Sequence, residues 1–433
     1  MWPPGSPQQS GSIRGCSSRS WRSSHPRGST SRTDAKVGSE TDTRRAYERR
    51  DHPGSRESPR IARRIPAASR PSADHGGVNR RPSRPSALLL AGLLSALLWG
   101  TVEAPGASLA AVGAQRDRAS ASPAVTGYAI PSVRSRVVRR DAAALSTVTV
   151  ASIGLTASGD GLATPSKSVR AGLRRLRRTA HAEGLSAQLI LSNYREPVGF
   201  DARAQHRLLH HPAHRAAVAS SAARTVRRAG WDGLNVDLER VRAADAAGLV
   251  SLLRELRGAL PSTAALTVDV SARTSLRSYR AAGYRLRRIA GIVDVVQLMA
   301  YDQHGPTWTG PGPVGSLVWQ RAALRAARRA VPARRLDLGV AGYGYTWPPE
   351  SSGRTGTSIS PASARRRVER AGVTPRWHRR DGEWSATLPG GTVLWWSDAR
   401  SVDARLALAA RRGLHGVALW RLGTADPLVG RQA

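Results

Sequence analysis

The segment GWDGLNVDLERV, residues 230–241, carries an amide and two carboxyls at alternate positions. Side chains of an extended chain alternate between faces, so Asn235, Asp237 and Glu239 share one face. Leu234, Val236 and Leu238 form an apolar stripe behind them. Alternate side chains leave a strand about 6.6 Å apart, near enough for neighbouring acids to interact. Two close carboxyls do not readily both ionise, so one keeps its proton near neutral pH and can serve as a general acid. Cleavage of a glycosidic bond needs such an acid, because the leaving oxygen must be protonated. Taken alone, the segment fits equally well a half-exposed antiparallel strand with its polar face in water. The surrounding elements decide between the two.

From Thr126 onward, strand-like and helix-like stretches alternate. Strands are expected over 126–131, 146–155, 185–194, the opening segment, 264–272, 293–302, 336–347 and 415–423. Amphipathic helices are expected over 168–184, about 202–229 and 244–260. Eight strands with helices in most gaps read as an α/β protein, a (β/α)8 TIM barrel over residues 125–430. No glycine-rich phosphate loop follows the first strand, which argues against a dinucleotide-binding sheet. Residues 348–394 turn Gly-, Pro- and Arg-rich and read as a small insertion after strand seven. A barrel strand is covered on both faces, so the half-exposed reading loses its water. Burying Asn235, Asp237 and Glu239 costs several kcal/mol unless they are hydrogen-bonded and used. Glu239 falls at the C-terminal end of its strand, where barrel enzymes gather their chemistry.

DGLNVDLE, residues 232–239, resembles the DGxxxDxE strand-four signature of glycoside hydrolase family 18. LMAYD (298–302) resembles the family's MxYD signature on strand six, and GVALWRLG (416–423) the end of strand eight with its tryptophan. YGYTW (343–347) and GPGPVGSL (310–317) are similar to the branch of spore-cortex and peptidoglycan glucosaminidases. The resemblance implies that Glu239 donates a proton to the glycosidic oxygen. Asp237 would orient the substrate's N-acetyl group, whose carbonyl oxygen is the nucleophile, and Tyr301 would steady it. Asp302 would bind sugar hydroxyls and Trp420 would floor the central subsite, with Asn235, Met299 and Tyr345 among the substrate contacts. Asn193 ends strand three, as a ligand-contacting residue would, and strand termination explains it nearly as well. Tyr345 and Trp347 could instead pack beneath the insertion. Asn235 stands where many chitinases have a third Asp; an amide holds no shuttled proton but could hydrogen-bond Asp237 and keep it anionic. The implied partner is an N-acetylglucosamine polysaccharide, peptidoglycan or chitin, with no cofactor and no stable protein partner. His304 beside Asp302 is a lone loop histidine, so no metal is expected.

The formal charge of +37 invites a nucleic-acid reading, but of the 67 basic residues only Lys36 and Lys167 are lysine. That skew looks like a GC-rich coding bias. The basic residues do not interleave with aromatics as in single-strand binders, so no nucleic-acid partner is expected. The single cysteine, Cys16, allows no internal disulfide and no cysteine metal site.

Residues 1–85 are Ser-, Arg- and Pro-rich with almost no apolar periodicity, and read as disordered or outside the mature protein. Residues 86–114 combine preceding arginines, a short apolar run from Ser86 to Gly100 and small residues ending at Ala114. They read as a signal peptide of a secreted or cell-wall protein, or, as the rival, a membrane anchor over 86–102. No methionine lies between Met1 and Met299, so a start near Val78 at another codon is a further expectation. A catalytically silent carbohydrate-binding barrel is the alternative from another class, and intact Asp237 and Glu239 argue against it.

Overall fold

Eight apolar stretches become the strands of one closed, all-parallel barrel in a computed structural model that describes residues 122–428. They are β1 (Ala124–Ala129), β2 (Thr147–Gly154), β3 (Ser186–Ser192), β4 (Gly233–Asp237), β5 (Ala265–Ser271), β6 (Val295–Met299), β7 (Leu336–Ala341) and β8 (Gly416–Trp420). Each pairs with its sequence neighbours, and β8 closes on β1 with Ala124 beside Gly416. That closure needs glycine: a Cβ on Gly416 would lie 2.1 Å from the Ala124 carbonyl oxygen. The expected (β/α)8 barrel is therefore what the chain forms. The readings made on residues 1–85 and 86–114 lie outside the described residues.

Helices cover the outer face because their apolar residues recur at helical spacing. The helix Ala246–Ala259 buries Leu249, Leu252, Leu253 and Leu256 on one side, each worth about 1.5–3 kcal/mol of burial. The helix Lys167–Ala182 starts where the Ser166 hydroxyl accepts the Val169 N–H. The single helical segment expected over 202–229 is two helices, Ala202–His210 and Pro212–Ala229. Pro212 has no N–H to continue the first helix and is well suited to start the second.

Every residue of β4 is buried, so the half-exposed reading of that strand is excluded. The barrel interior carries a layer of polar side chains. Thr267 donates to Gln188 at 3.0 Å, Gln297 donates to Asp337 at 3.3 Å, and Asp337 pairs with His415 at 2.7 Å. These bonds offset the cost of burying polar groups there.

The insertion begins earlier than residue 348. The strand expected over 336–347 breaks after Ala341, and Gly344–Trp347 crosses into a second, antiparallel sheet. In that sheet the order is Ser358–Ile359, Gly344–Trp347, Val393–Trp396, Glu383–Thr387 and Arg376–His378. A Cβ on Gly344 would meet the Trp395 carbonyl oxygen at 2.2 Å, so this glycine lets the strands approach. The helix Pro361–Arg370 packs on this sheet through Ala364 and Val368, against Ile359, Ala386, Leu394 and Trp396. A buried ion pair ties the sheet to the barrel: Arg405, from the helix Ala399–Arg411, reaches Glu383 at 3.3 Å and donates to the carbonyls of Gly315 and Asp381. Glu383 also accepts the N–H groups of Val314 and Gly315 at 2.7 and 2.9 Å.

Candidate active site

The C-terminal mouth of the barrel collects the ends of β3, β4, β6 and β8. Asp237 ends β4 and Glu239 follows two residues later, both buried. Burial is the largest influence on each carboxyl and raises it above the ordinary range. Glu239 and Asp269 push Asp237 further up, and Asp302 pushes Glu239 further up. The Asp237 Oδ2 is met by the Ser192 hydroxyl at 3.5 Å, while Oδ1 has no hydrogen-bond partner among the described residues. A buried, unpartnered acceptor of this kind suits an incoming N–H. Tyr301 keeps its proton well above its ordinary range, through burial first and then Asp269, Asp237, Asp302 and Glu239. The mouth therefore brings together two buried carboxyls shifted towards their protonated forms and a phenol donor, groups suited to general acid chemistry.

Asn193, expected among the substrate contacts, is engaged with the backbone of Glu239. Its Oδ1 accepts the Glu239 N–H at 2.9 Å and its Nδ2 donates to the Glu239 carbonyl at 3.0 Å. The residue is 1% exposed, so both amide atoms are committed to the backbone of Glu239. The β3–β4 pairing explains this: Ser192 lies beside Asp237, which brings the next residue of β3 alongside the chain carrying Glu239.

Tyr345, expected at the cleft or beneath the insertion, lies against Asp302. It is 4% exposed and donates its hydroxyl to Asp302 Oδ1 at 2.7 Å, beside a second donor, Tyr343. The two rings sit edge-on at 5.5 Å, with Trp347 and Trp308 packed against Tyr345 at 6.0 and 5.7 Å. Trp347 is buried and donates its indole N–H to the Thr309 carbonyl at 3.1 Å. Both residues belong to the Gly344–Trp347 strand of the inserted sheet, and Tyr345 meets Asp302 through its hydroxyl. Asp302 itself has φ 57°, a left-handed backbone that is uncommon outside glycine and is held by these two phenols.

Trp420 ends β8 half-buried, tilted on Tyr128 with centroids 5.6 Å apart and packed beside Ala151, Ile190 and Ala418. Met299 ends β6, half-buried, beside Ser271 of β5. A groove of about 880 Å³ runs over the ends of the first three strands, lined by Ile130, Ala151, Ser152, Gly154 and Tyr194.

Asn235 does not touch Asp237. Its amide Nδ2 faces Tyr128, Thr267, Asp269 and Gln297 at 3.2, 3.0, 2.9 and 3.0 Å. Its partners come from β5, β6 and β1 rather than from the next inward residue of its own strand. The hydrogen bond to Asp237 expected of it is therefore not made, and burial with the acidic neighbours Glu239 and Asp269 raises that carboxyl. Sequence reasoning missed Tyr128, Ser192, Asp269, Gln297 and Tyr343. A signal existed for three of them: Tyr128 in AVTGYA, Asp269 in ALTVDVS and Gln297 in VVQLM are polar positions within otherwise apolar barrel strands.

Among the described residues, His206, His210 and Asp245 bring potential metal-ligand atoms within 4.8 Å of one another. His206 Nδ1 and His210 Nε2 there both hydrogen-bond Asp245 Oδ1, at 2.7 and 3.2 Å. His304 bonds through Nδ1 to the Pro313 carbonyl at 2.9 Å.

The model of the glycosyl hydrolases family 18 matches residues 173–425, more than half of the chain. The chain belongs to glycosyl hydrolases family 18. Within this family it is 28% identical over 217 residues to the cortical fragment-lytic enzyme of Bacillus subtilis (strain 168), covering 46% of this chain and 48% of that protein. It is 27% identical over 251 residues to a class V chitinase of Arabidopsis thaliana, covering 50% of this chain and 64% of that protein. The crystal structure of the Bacillus cereus spore cortex-lytic enzyme SleL shares its fold, with a TM-score of 0.63 at 20% identity over 71% of this chain and 72% of that one. The chain spans about half the length of the curated relatives it matches. The family match begins inside the helix Lys167–Ala182, whereas the barrel begins with β1 and β2 upstream of it.

Proposed function

We propose that the chain is a glycosidase that hydrolyses β-1,4-linked N-acetylglucosamine polymers, peptidoglycan foremost, by substrate-assisted retaining catalysis. The observation that carries this reading is Asp237 Oδ1, a buried carboxyl oxygen with no hydrogen-bond partner among the described residues, two residues before Glu239, whose carboxyl burial shifts upward towards its protonated form. In the proposed reaction the acetamido N–H donates to Asp237, which turns the acetyl carbonyl oxygen onto the anomeric carbon. Glu239 passes its proton to the leaving glycosidic oxygen as that bond breaks, and the resulting carboxylate then takes a proton from the water that opens the cyclic intermediate. Tyr301 donates its hydroxyl to the acetyl oxygen. Trp420 offers an apolar face to the sugar ring, and Asp302, aimed by Tyr343 and Tyr345, takes sugar hydroxyls.

Peptidoglycan is preferred because the GPGPVGSL and YGYTW segments are similar to the cortex-directed branch. Chitin is the second reading, favoured by the similarity to a class V chitinase. Digestion of purified peptidoglycan and of chitin oligomers, with product masses read out, tests both. Release of muropeptide-sized fragments alone supports the first reading, chitobiose-type products alone the second, and no cleavage of either contradicts the glycosidase reading. The proposal includes export, argued from residues 86–114. N-terminal sequencing of protein from culture fluid or wall should find a start near Gln115.

A further inference from the structure

The glycosidase reading leaves one buried carboxyl at the barrel mouth without a role. Asp269 lies on β5 and is 4% exposed. β4 and β5 pair with Asn235 beside Thr267 and Val236 beside Val268. Continued by one residue, that register brings Asp237 level with Asp269, side-chain alternation turns both the way Asn235 and Thr267 face, and Asp269 is close enough to raise the Asp237 carboxyl. Paired strands are about 4.8 Å apart, so two acids stand side by side inside the barrel.

The protons around Asp269 do not suffice for the oxygens they face. Tyr128 Oη lies 2.6 Å from Asp269 Oδ1 and also contacts Gln297 Oε1. One hydroxyl proton cannot serve both oxygens. The Asn235 amide likewise has two protons for four surrounding oxygens, those of Tyr128, Thr267, Asp269 and Gln297. The cluster is short of donors. A proton on Asp269 supplies one: Asp269 then donates to Tyr128, and Tyr128 donates to Gln297.

We propose that Asp269 is a positioning residue for the reaction, holding one proton jointly with Asp237 across the β4–β5 pairing and so setting the state in which Asp237 meets the substrate. The inference rests on the glycosidase reading. When Asp237 carries the proton, Asp269 is the carboxylate and accepts from Tyr128 and Asn235. When Asp269 carries it, Asp237 is the carboxylate that meets the acetamido N–H. The pair keeps a single negative charge in both forms. The titratable groups facing Asp269 are Tyr128 from β1, Asp237 at the end of β4, Glu239 just beyond it, Tyr301 beyond β6 and Asp337 from β7. Burial is the main cause that pushes Asp269 up to about 7, and Asp237 is raised by burial and by its acidic neighbours, the directions that a jointly held proton requires.

The test uses the full chain with Asp269→Asn, and with the exchange Asn235→Asp/Asp269→Asn, which keeps one acid and one amide in contact. Removing the Asp269 charge lets Asp237 ionise more easily. The limb of the kcat/KM profile that Asp237 controls should move to lower pH by about 1 unit, and the exchange should return it most of the way. A folded Asp269→Asn protein whose profile superimposes on the wild type overturns the inference. If Asp269→Asn does not fold, the exchange decides: a wild-type profile supports the pairing, and a displaced one overturns it. Carboxyl-carbon NMR in the Glu239→Gln background reads the same coupling without turnover. There the Asp237 midpoint should fall when the Asp269 carboxyl is removed, and an unmoved midpoint overturns the inference. Failure of wild type to cleave any N-acetylglucosamine polymer is a separate result, which sinks the glycosidase reading and leaves the NMR test of the pair intact.

Discussion

Asn193 grips Glu239 by its backbone, accepting the N–H at 2.9 Å and donating to the carbonyl at 3.0 Å through one side-chain amide. The proposed acid sits just past the end of β4, and its neighbour Arg240 has a left-handed φ of 62°. A clamp from the adjacent strand is what fixes the peptide there.

Asn193→Ala should therefore lower kcat without weakening substrate binding. Small displacements of a catalytic group cost on the order of 10²-fold in rate, and two buried backbone groups lose their partners, at about 1–3 kcal/mol each. Steady-state kinetics on an oligomer would check it. A raised KM with unchanged kcat would instead return Asn193 to the sugar-contacting role expected from sequence.

Glu239→Gln keeps shape and removes the transferable proton. Turnover should fall by about 10²–10⁴ while oligosaccharide binding survives. A variant that keeps more than about half of wild-type turnover excludes Glu239 as the acid.

Asp269 also predicts how stability depends on pH. Its pKa in the folded chain, about 7, lies above the ordinary aspartate value of 3.8. The folded state thus holds a proton that the unfolded chain has released, and stability rises with pH only where the unfolded state binds more protons. The contribution of Asp269 is fully present below about pH 4 and is lost as pH rises through about 7. Urea midpoints should fall over that window more in wild type than in Asp269→Asn. Parallel curves would contradict the assignment.

Arg405 should matter for stability alone. It is 1% exposed and pairs with an equally buried Glu383, so Arg405→Ala strands a buried charge. Breaking such a pair costs about 3–5 kcal/mol. Chemical denaturation measures this, and a loss below about 1 kcal/mol would show that the inserted sheet is anchored elsewhere.

The eight strands were legible because each is an apolar run with helical spacing between runs. Asp237 and Glu239 were legible because their spacing is local. What was hidden depends on which strands become neighbours. Asn193 meets Glu239 only through the β3–β4 register, and Tyr128 meets Asp269 from 141 residues away. In the sequence Tyr345 reads as a continuation of β7, either lining the cleft or packing beneath the insertion. The break after Ala341 turns it onto Asp302 instead. Alternation alone marks Asp269 and Gln297 as inward-facing, but not which partners they find there.

In the proposed reaction the substrate's own acetyl group is the nucleophile, oriented by Asp237 and Tyr301. A sugar without that acetyl group offers only an ammonium, which cannot attack the anomeric carbon and adds a charge beside Tyr301. The decisive measurement is mass spectrometry of digests of length-matched oligomers, fully acetylated and fully deacetylated. Substrate assistance predicts cleavage of the acetylated oligomer, with β configuration retained, and none of the deacetylated one. Equal cleavage of both would contradict it, and with it the roles of Asp237 and Tyr301.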